Sequence, residues 1–353
     1  FLKLKLERLG FQVIEIQNNK RTEISKNVYL NILAADNCDP LLCGKLFGCY
    51  TLPTTNGSLQ IDTLSKFEYK DKIILNTNDC PFDLAENTIL ANNLHELKID
   101  TLLVGYCGAG PYPQCFEFQN EKDKIDAAEE KKIKFLEYAK EYIELLKPKF
   151  FIPFAGTYIL GSRFVELNKF RGIPSIPAAI KYIKKSVTSD VKGIHLQQFD
   201  IFDLKTVTIK HCKNNHNKSL DEYIHSISQK PLDYDLDNWM DEDIDELLFQ
   251  SYSRFNNKAE SLRFKSDTKI VIKTQCMRIL FGINQSPTHI DNAYEVRDDF
   301  VEITVDQNLL LRLLKGPRFA HWNNAEIGSH LLFKRDPDVY EHNLYFCLYF
   351  FHS

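Results

Sequence analysis

Histidine is almost missing from the first half of this 353-residue sequence: His95 is the only one before residue 190, and the other nine lie between His195 and His352. Motifs of the common hydrolase classes are missing altogether. No G-x-x-x-x-G-K-[ST] phosphate loop, G-x-S-x-G elbow or H-E-x-x-H pair occurs, which excludes P-loop, serine-elbow and zincin chemistry. No stretch approaches the ~18–20 uncharged apolar residues of a membrane-spanning helix. The net charge of −4 and pI near 6.2 provide no global basic field for nucleic acid or an anionic membrane. Nine cysteines at irregular spacing do not read as the framework of a small disulfide-stapled protein, so reduced thiols and a cytoplasmic location are expected. Methionine is missing at position 1, and Phe1-Leu2-Lys3-Leu4-Lys5-Leu6 lacks both the apolar core and the cleavage site of a signal peptide. The sequence is therefore expected to begin inside a longer protein.

What is present is ordinary globular composition, 44% apolar and 26% charged, at a length that suits two or three domains of ~150 residues. The first half alternates strand-like and helix-like segments. Val28 to Ala35, Lys72 to Asn76, Asp100 to Gly105 and Phe150 to Phe154 read as strands, being short apolar runs bounded by turn residues. Leu84 to Leu97 and Asp123 to Lys147 read as helices. In the longer one Ile125, Ala128, Ile133, Leu136, Ala139, Ile143 and Leu146 mark a face, and Pro148 stops it. Strands separated by helices of these lengths predict crossover units and an α/β fold over residues 1–190.

The pattern changes beyond residue 190. Residues 191–232 read as a linker, with 205–232 polar and weakly periodic. Residues 233–247 hold eight carboxylates, which read as the solvated, acidic start of a helix because first-turn acids complement the helix dipole. Residues 268–272, 278–283, 293–296 and 300–305 are short strand candidates without intervening helices, and Gln307 to Leu314 is helical. That grouping predicts a smaller α+β domain over residues 233–353 with an antiparallel sheet. Its aromatic tail, Tyr345 to Phe351, reads as a buried element or a subunit contact, which leaves room for a homo-oligomer.

Chemistry in an α/β fold collects on the loops at the C-terminal ends of strands. Four such ends carry polar or glycine-rich clusters: Ala35-Asp36-Asn37-Cys38-Asp39-Pro40, Asn76-Thr77-Asn78-Asp79-Cys80-Pro81, Gly105 to Cys115, and Ala155-Gly156-Thr157-Tyr158. If the strands share one sheet, Asp36 and Asp79 would face a common hard cation. Each residue also has a plainer role open to it. Asp36 would serve as a turn residue or helix cap, Asp79 as the cap of the helix beginning near Phe82, and the glycines as tight-turn residues. The spacing of Cys38, Cys43 and Cys49 fits no standard zinc pattern, and burial is expected for all three.

Taken in order, AAD-N-CDP, LNTNDCPF, IDTLLVGYCGAGPYPQCF, a long helix and KPKFFIPFAGTY resemble the metallo-β-lactamase fold over roughly residues 10–185. Within it, the likeness is to the branch of CMP-N-acetylneuraminate hydroxylase and its bacterial relatives. The resemblance implies an αββα sandwich, N-terminally incomplete, because the ligand motif H-x-H-x-D-H occurs nowhere in the sequence. It also implies that Asp36 and Asp79 stand at metal-ligand positions, and that no histidine stands at the last ligand position near Gly156. The metal would be a divalent cation, with zinc, iron and manganese all compatible with carboxylate ligands. Asn78, Tyr106, Gly108, Tyr112, Gln114 and Tyr158 would lie on the substrate side. The function implied is a metal-dependent hydrolase acting on a small anionic or sugar-derived substrate. An iron-dependent nucleotide-sugar hydroxylase is the alternative, although no Rieske-type Cys/His pattern is present. A scaffold with a decayed metal site is the non-enzymatic reading. The C-terminal segment around Phe319 to His330 loosely resembles a sterol-carrier-like domain. His321, Trp322 and His330 there would either line a groove or be a packed Trp with surface histidines.

Overall fold

The computed structural model describes residues 2–34, 63–154, 156–212, 219–238 and 243–353. It begins with α1 (Leu2–Arg8), β1 (Thr22–Ser25) and β2 (Val28–Ala34). There follow β3 (Thr63–Tyr69), β4 (Lys72–Asn76), α2 (Phe82–Ala91), β5 (Thr101–Gly105), α3 (Glu121–Leu146), β6 (Phe150–Phe154), α4 (Ile176–Ser186) and β7 (Lys192–Gly193). These strands form one seven-stranded sheet in chain order. The first four are antiparallel, whereas β4 to β7 run parallel because helical crossovers return the chain to the same end each time. The fold of this half is therefore mixed α/β.

Local chemistry sets the element ends. Asn120 caps α3 by accepting from the Asp123 N–H, and α3 stops at the left-handed Lys147 before Pro148. Ser175 caps α4 in the same way. One face of the sheet is covered: Leu33, Leu64, Leu75, Leu102, Val104 and Phe151 share a core with Leu84, Ile89, Leu136, Ile143 and Ile183 from α2, α3 and α4. On the other face, Leu30, Phe67 and Ile74 lie in register and are only half-buried. The expected αββα sandwich needs a second sheet on that face. Among the described residues the other large sheet has a core of its own.

After a small hairpin, β8 (Ile201–Asp203) with β9 (Thr208–Lys210), the stretch read as a linker forms α5 (Leu220–Ser228). A capping box explains it, with Ser219 accepting from the Glu222 N–H and Glu222 accepting from the Ser219 N–H. The acidic run is more than a solvated helix start. Asp243 does cap α6 (Ile244–Ser261), but Asp233 and Asp237 pair with Arg312, and Asp235 pairs with Arg163.

The C-terminal half contains β10 (Lys269–Lys273), β11 (Arg278–Gly282), β12 (Gln285–Ile290), β13 (Phe300–Thr304), α7 (Gln307–Leu314), α8 (Trp322–Ile327), β14 (Leu332–Asp336) and α9 (His342–Leu348). Its sheet runs β12-β11-β10-β13-β14 and is mixed rather than antiparallel. The connection over residues 291–299 crosses over, so β13 pairs parallel with β10, and residues 293–296 are not a strand. The aromatic tail is α9 and a buried terminus, with Phe351 fully buried. Trp322 is packed as well, its Nε1 donating to the Phe351 carbonyl at 2.7 Å. His330 lies against Phe164 and bonds the Tyr234 hydroxyl, so these side chains are packing and tie residues rather than the lining of a groove.

Candidate functional site

Parallel pairing aligns the ends of β4, β5 and β6 at one edge. Bonds between the loops hold them side by side. The Gly105 N–H donates to the Thr77 hydroxyl at 3.2 Å, the Tyr106 and Thr157 hydroxyls are 2.6 Å apart, and the Cys107 thiol donates to the Gly156 carbonyl. From beneath, the Tyr142 hydroxyl of α3 donates to the Cys80 carbonyl at 2.8 Å and fixes the turn that carries Asp79.

Asp79 is exposed at the tip of that turn. It is not the cap of α2, which begins after Pro81 with no side-chain cap bond. Asp36, with Cys38, Cys43 and Cys49, lies outside the described residues. Among the described residues no three His, Cys, Asp or Glu side chains converge as a metal site. Asp79 alone does not hold a divalent cation, so the described residues do not fit a metal centre by themselves.

The six residues expected on the substrate side divide by structural role. Asn78 has φ +52°, and its side chain is engaged in the turn: it donates to the Thr63 carbonyl at 2.6 Å and accepts from the Asn76 amide at 2.8 Å. Tyr106 is buried, which raises its pKa, and its hydroxyl bonds across to that of Thr157. Gly108 has no room for a side chain, because a Cβ there would lie 2.1 Å from the Phe135 ring of α3. Tyr112 packs against Phe116 and Phe118 beside the C-terminal core. Gln114 is fully buried, and its Nε2, with two N–H groups, lies within hydrogen-bond reach of the Gly110 carbonyl, the Tyr158 hydroxyl and, at 3.0 Å, the Ser329 hydroxyl. It therefore ties two of the site loops to the C-terminal half. Backbone bonds from the Glu117 N–H to the Phe333 carbonyl and from the Phe333 N–H to the Cys115 carbonyl strengthen that junction. Tyr158 has its pKa pushed up to about 12 by burial, so it is a neutral hydroxyl at physiological pH.

Three further residues belong to this edge and have no strong local signal. Cys107 is buried, which pushes its thiol up to about 12, so it is not a ready nucleophile. Lys131 of α3 reaches in to donate to the Tyr112 carbonyl at 2.8 Å. Arg171 lies over the Tyr158 ring, 5.4 Å from its centroid. The single hint was that Lys131 follows Ala128 by three residues on the apolar face of α3, where a lysine is out of pattern.

Gly172 sets the approach of Arg171 to α3. Its φ is +66°, and a Cβ would lie 2.4 Å from the Ala128 carbonyl oxygen and 3.4 Å from the Lys131 Cβ. Gly172→Ala combines a left-handed conformation with a clash against backbone, so a loss of about 2 kcal/mol or more is expected in urea unfolding. An unchanged midpoint would show that the turn adapts.

The arrangement defines a mixed α/β protein whose candidate site sits outside the carboxyl ends of three parallel strands. No protein-family model and no curated protein matches the sequence. Among solved structures, it is similar to a mutant of CmlA β-hydroxylase at 15% identity, covering 56% of this chain and 35% of that one, with TM-score 0.31. It is also similar to Igni18, a metallo hydrolase from the hyperthermophilic archaeon Ignicoccus hospitalis KIN4/I, at 11% identity, 56% and 62% coverage, and TM-score 0.29. A third likeness is to a protein of unknown function from Enterococcus faecalis V583, at 14% identity, 53% and 46% coverage, and TM-score 0.18. The chain thus spans between 35% and 62% of the length of these proteins. Among the described residues no helix is long and apolar enough to cross a membrane.

Proposed function

We propose that the chain is part of a metal-dependent hydrolase of the metallo-β-lactamase fold, acting in the cytoplasm on a small anionic or sugar-derived substrate. The observation that carries this reading is the alignment of the loops after β4, β5 and β6, with Asp79 exposed at the first of them. Three motifs of the sequence resemblance, LNTNDCPF, GYCGAGPYPQCF and FAGTY, fall on those same loops, and AAD-N-CDP lies, beyond Ala34, outside the described residues. A cation held there needs donors beyond the described residues, and Asp36 is the one the resemblance offers. A bound divalent cation would supply Lewis-acid polarisation and an activated water. The residues in hand supply the frame: Thr77, Tyr106 and Thr157 lock the loops, and Gln114 with Tyr158 closes the side facing the C-terminal half. The C-terminal half is proposed to be the sterol-carrier-like appendage.

Metal analysis of the purified protein tests the reading. Metal near stoichiometry in the wild type, reduced more than about tenfold by Asp79→Ala, is the expected result. Unchanged content in the variant removes Asp79 from the site, and a metal-free wild type overturns metal dependence. Iron in place of zinc would favour the hydroxylase alternative.

A further inference from the structure

The charge around Cys107 is one-sided. Lys131 and Arg171 come from different elements, α3 and the turn before α4, and Gly172 brings them together against Ala128. Neither cation forms an ion pair among the described residues. The ionisable groups facing Lys131 are Cys107, Cys115 and Arg171, and those facing Arg171 are Cys107 and Tyr158. Burial pushes all three acids upward, leaving them neutral at pH 7. Among the described residues no negative charge therefore balances either cation. Burial draws Lys131 down to about 8, which still leaves it mostly protonated at neutral pH.

The donors and acceptors are also incomplete. Lys131 spends one of its three N–H groups on the Tyr112 carbonyl. Arg171 uses Nε on the Asn168 carbonyl, while its Nη1 is shielded from solvent and has no partner among the described residues. Gln114 is fully buried, and its Oε1 likewise has no partner among the described residues. Both side chains are partly withdrawn from water, and cations so placed are ordinarily paired, because desolvation disfavours the charge unless an opposite charge or good hydrogen bonds offset it. A planar guanidinium beside an ammonium is the pair of donors that oxyanions accept best.

We propose that Lys131 and Arg171 form an oxyanion pocket that takes the phosphate or carboxylate group of a small substrate. This deepens the reading above and rests on it for the position of the pocket beside the strand ends. The oxyanion receives N–H donors from both cations.

The test is thermal unfolding and titration calorimetry of the full chain in a chelator, with inorganic phosphate or acetate added against chloride at matched ionic strength. One of the two anions is expected to raise the melting temperature of the wild type, and which one does so identifies the group recognised. Lys131→Met and Arg171→Gln are each expected to weaken that binding by roughly tenfold or more. Neither anion exceeding chloride overturns the pocket, and this comparison needs no variant to fold. An equal shift in wild type and both variants overturns it too, since that is general screening. The chelator separates the two readings, because a failed anion titration beside intact metal content in untreated protein sinks only the pocket.

Discussion

Replacement of Glu326 by glutamine is expected to leave stability nearly unchanged near pH 4 and to raise it near pH 9 by on the order of 3–5 kcal/mol. Glu326 lies on α8 and is 3% exposed, with one oxygen lacking a partner among the described residues. Burial pushes its pKa from 4.5 up to about 8, opposed by a hydrogen bond with Tyr349. The folded protein therefore keeps this proton up to about pH 8, whereas the unfolded chain releases it near pH 4.5. Stability associated with the protonated acid is complete below 4.5 and is lost as the pH rises through 8. Glutamine has nearly the same shape and no proton to lose, so the variant should lack this slope. The measurement is urea unfolding at several pH values, and parallel wild-type and variant curves would show that Glu326 does not titrate in this window.

Phe281→Ala is expected to cost ~3–5 kcal/mol. Phe281 of β11 is fully buried, stacked on Phe351 with centroids 4.6 Å apart and edge-on to Phe255 at 5.4 Å. Three elements meet at this ring: β11, α6 and the C-terminus. Its removal leaves a cavity that these rigid neighbours fill only in part, which adds to the lost transfer free energy. Phe249→Ala on α6 is the control, since Phe249 is 65% exposed and a surface change costs within ~0.5 kcal/mol. Equal midpoints for the two variants in guanidinium would refute the packing assignment.

Local pattern determined much of the framework. Lys72 to Asn76, Phe150 to Phe154 and Gln307 to Leu314 are elements with the ends that the sequence predicts, because turn residues and caps act within a few positions. The stop of α3 before Pro148 is of the same kind. Where local signals are weak the reading fails. Gln285 to Ile290 contains Pro287 and little apolar residue, and it is a strand because it pairs with β11 on one side only, as an edge strand can. The capping box of α5 was present in Ser219 and Glu222, but a polar helix has no apolar stripe to announce it.

The site divides in the same way. Sequence alone placed Asp79, Tyr106, Gly108 and Tyr158 on loops that end strands, since a strand end is a local property. It did not show that Gln114 bonds Ser329 across 215 positions, or that Lys131 reaches the Tyr112 carbonyl and Arg171 the Tyr158 ring at the same edge. Those encounters are decided by sheet order and by the close approach at Gly172, which is to say by packing between segments far apart in the chain. Composition fixed which residues were available to carry charge. Only tertiary structure decided which charges are left without a partner, because pairing depends on distances that no local pattern encodes.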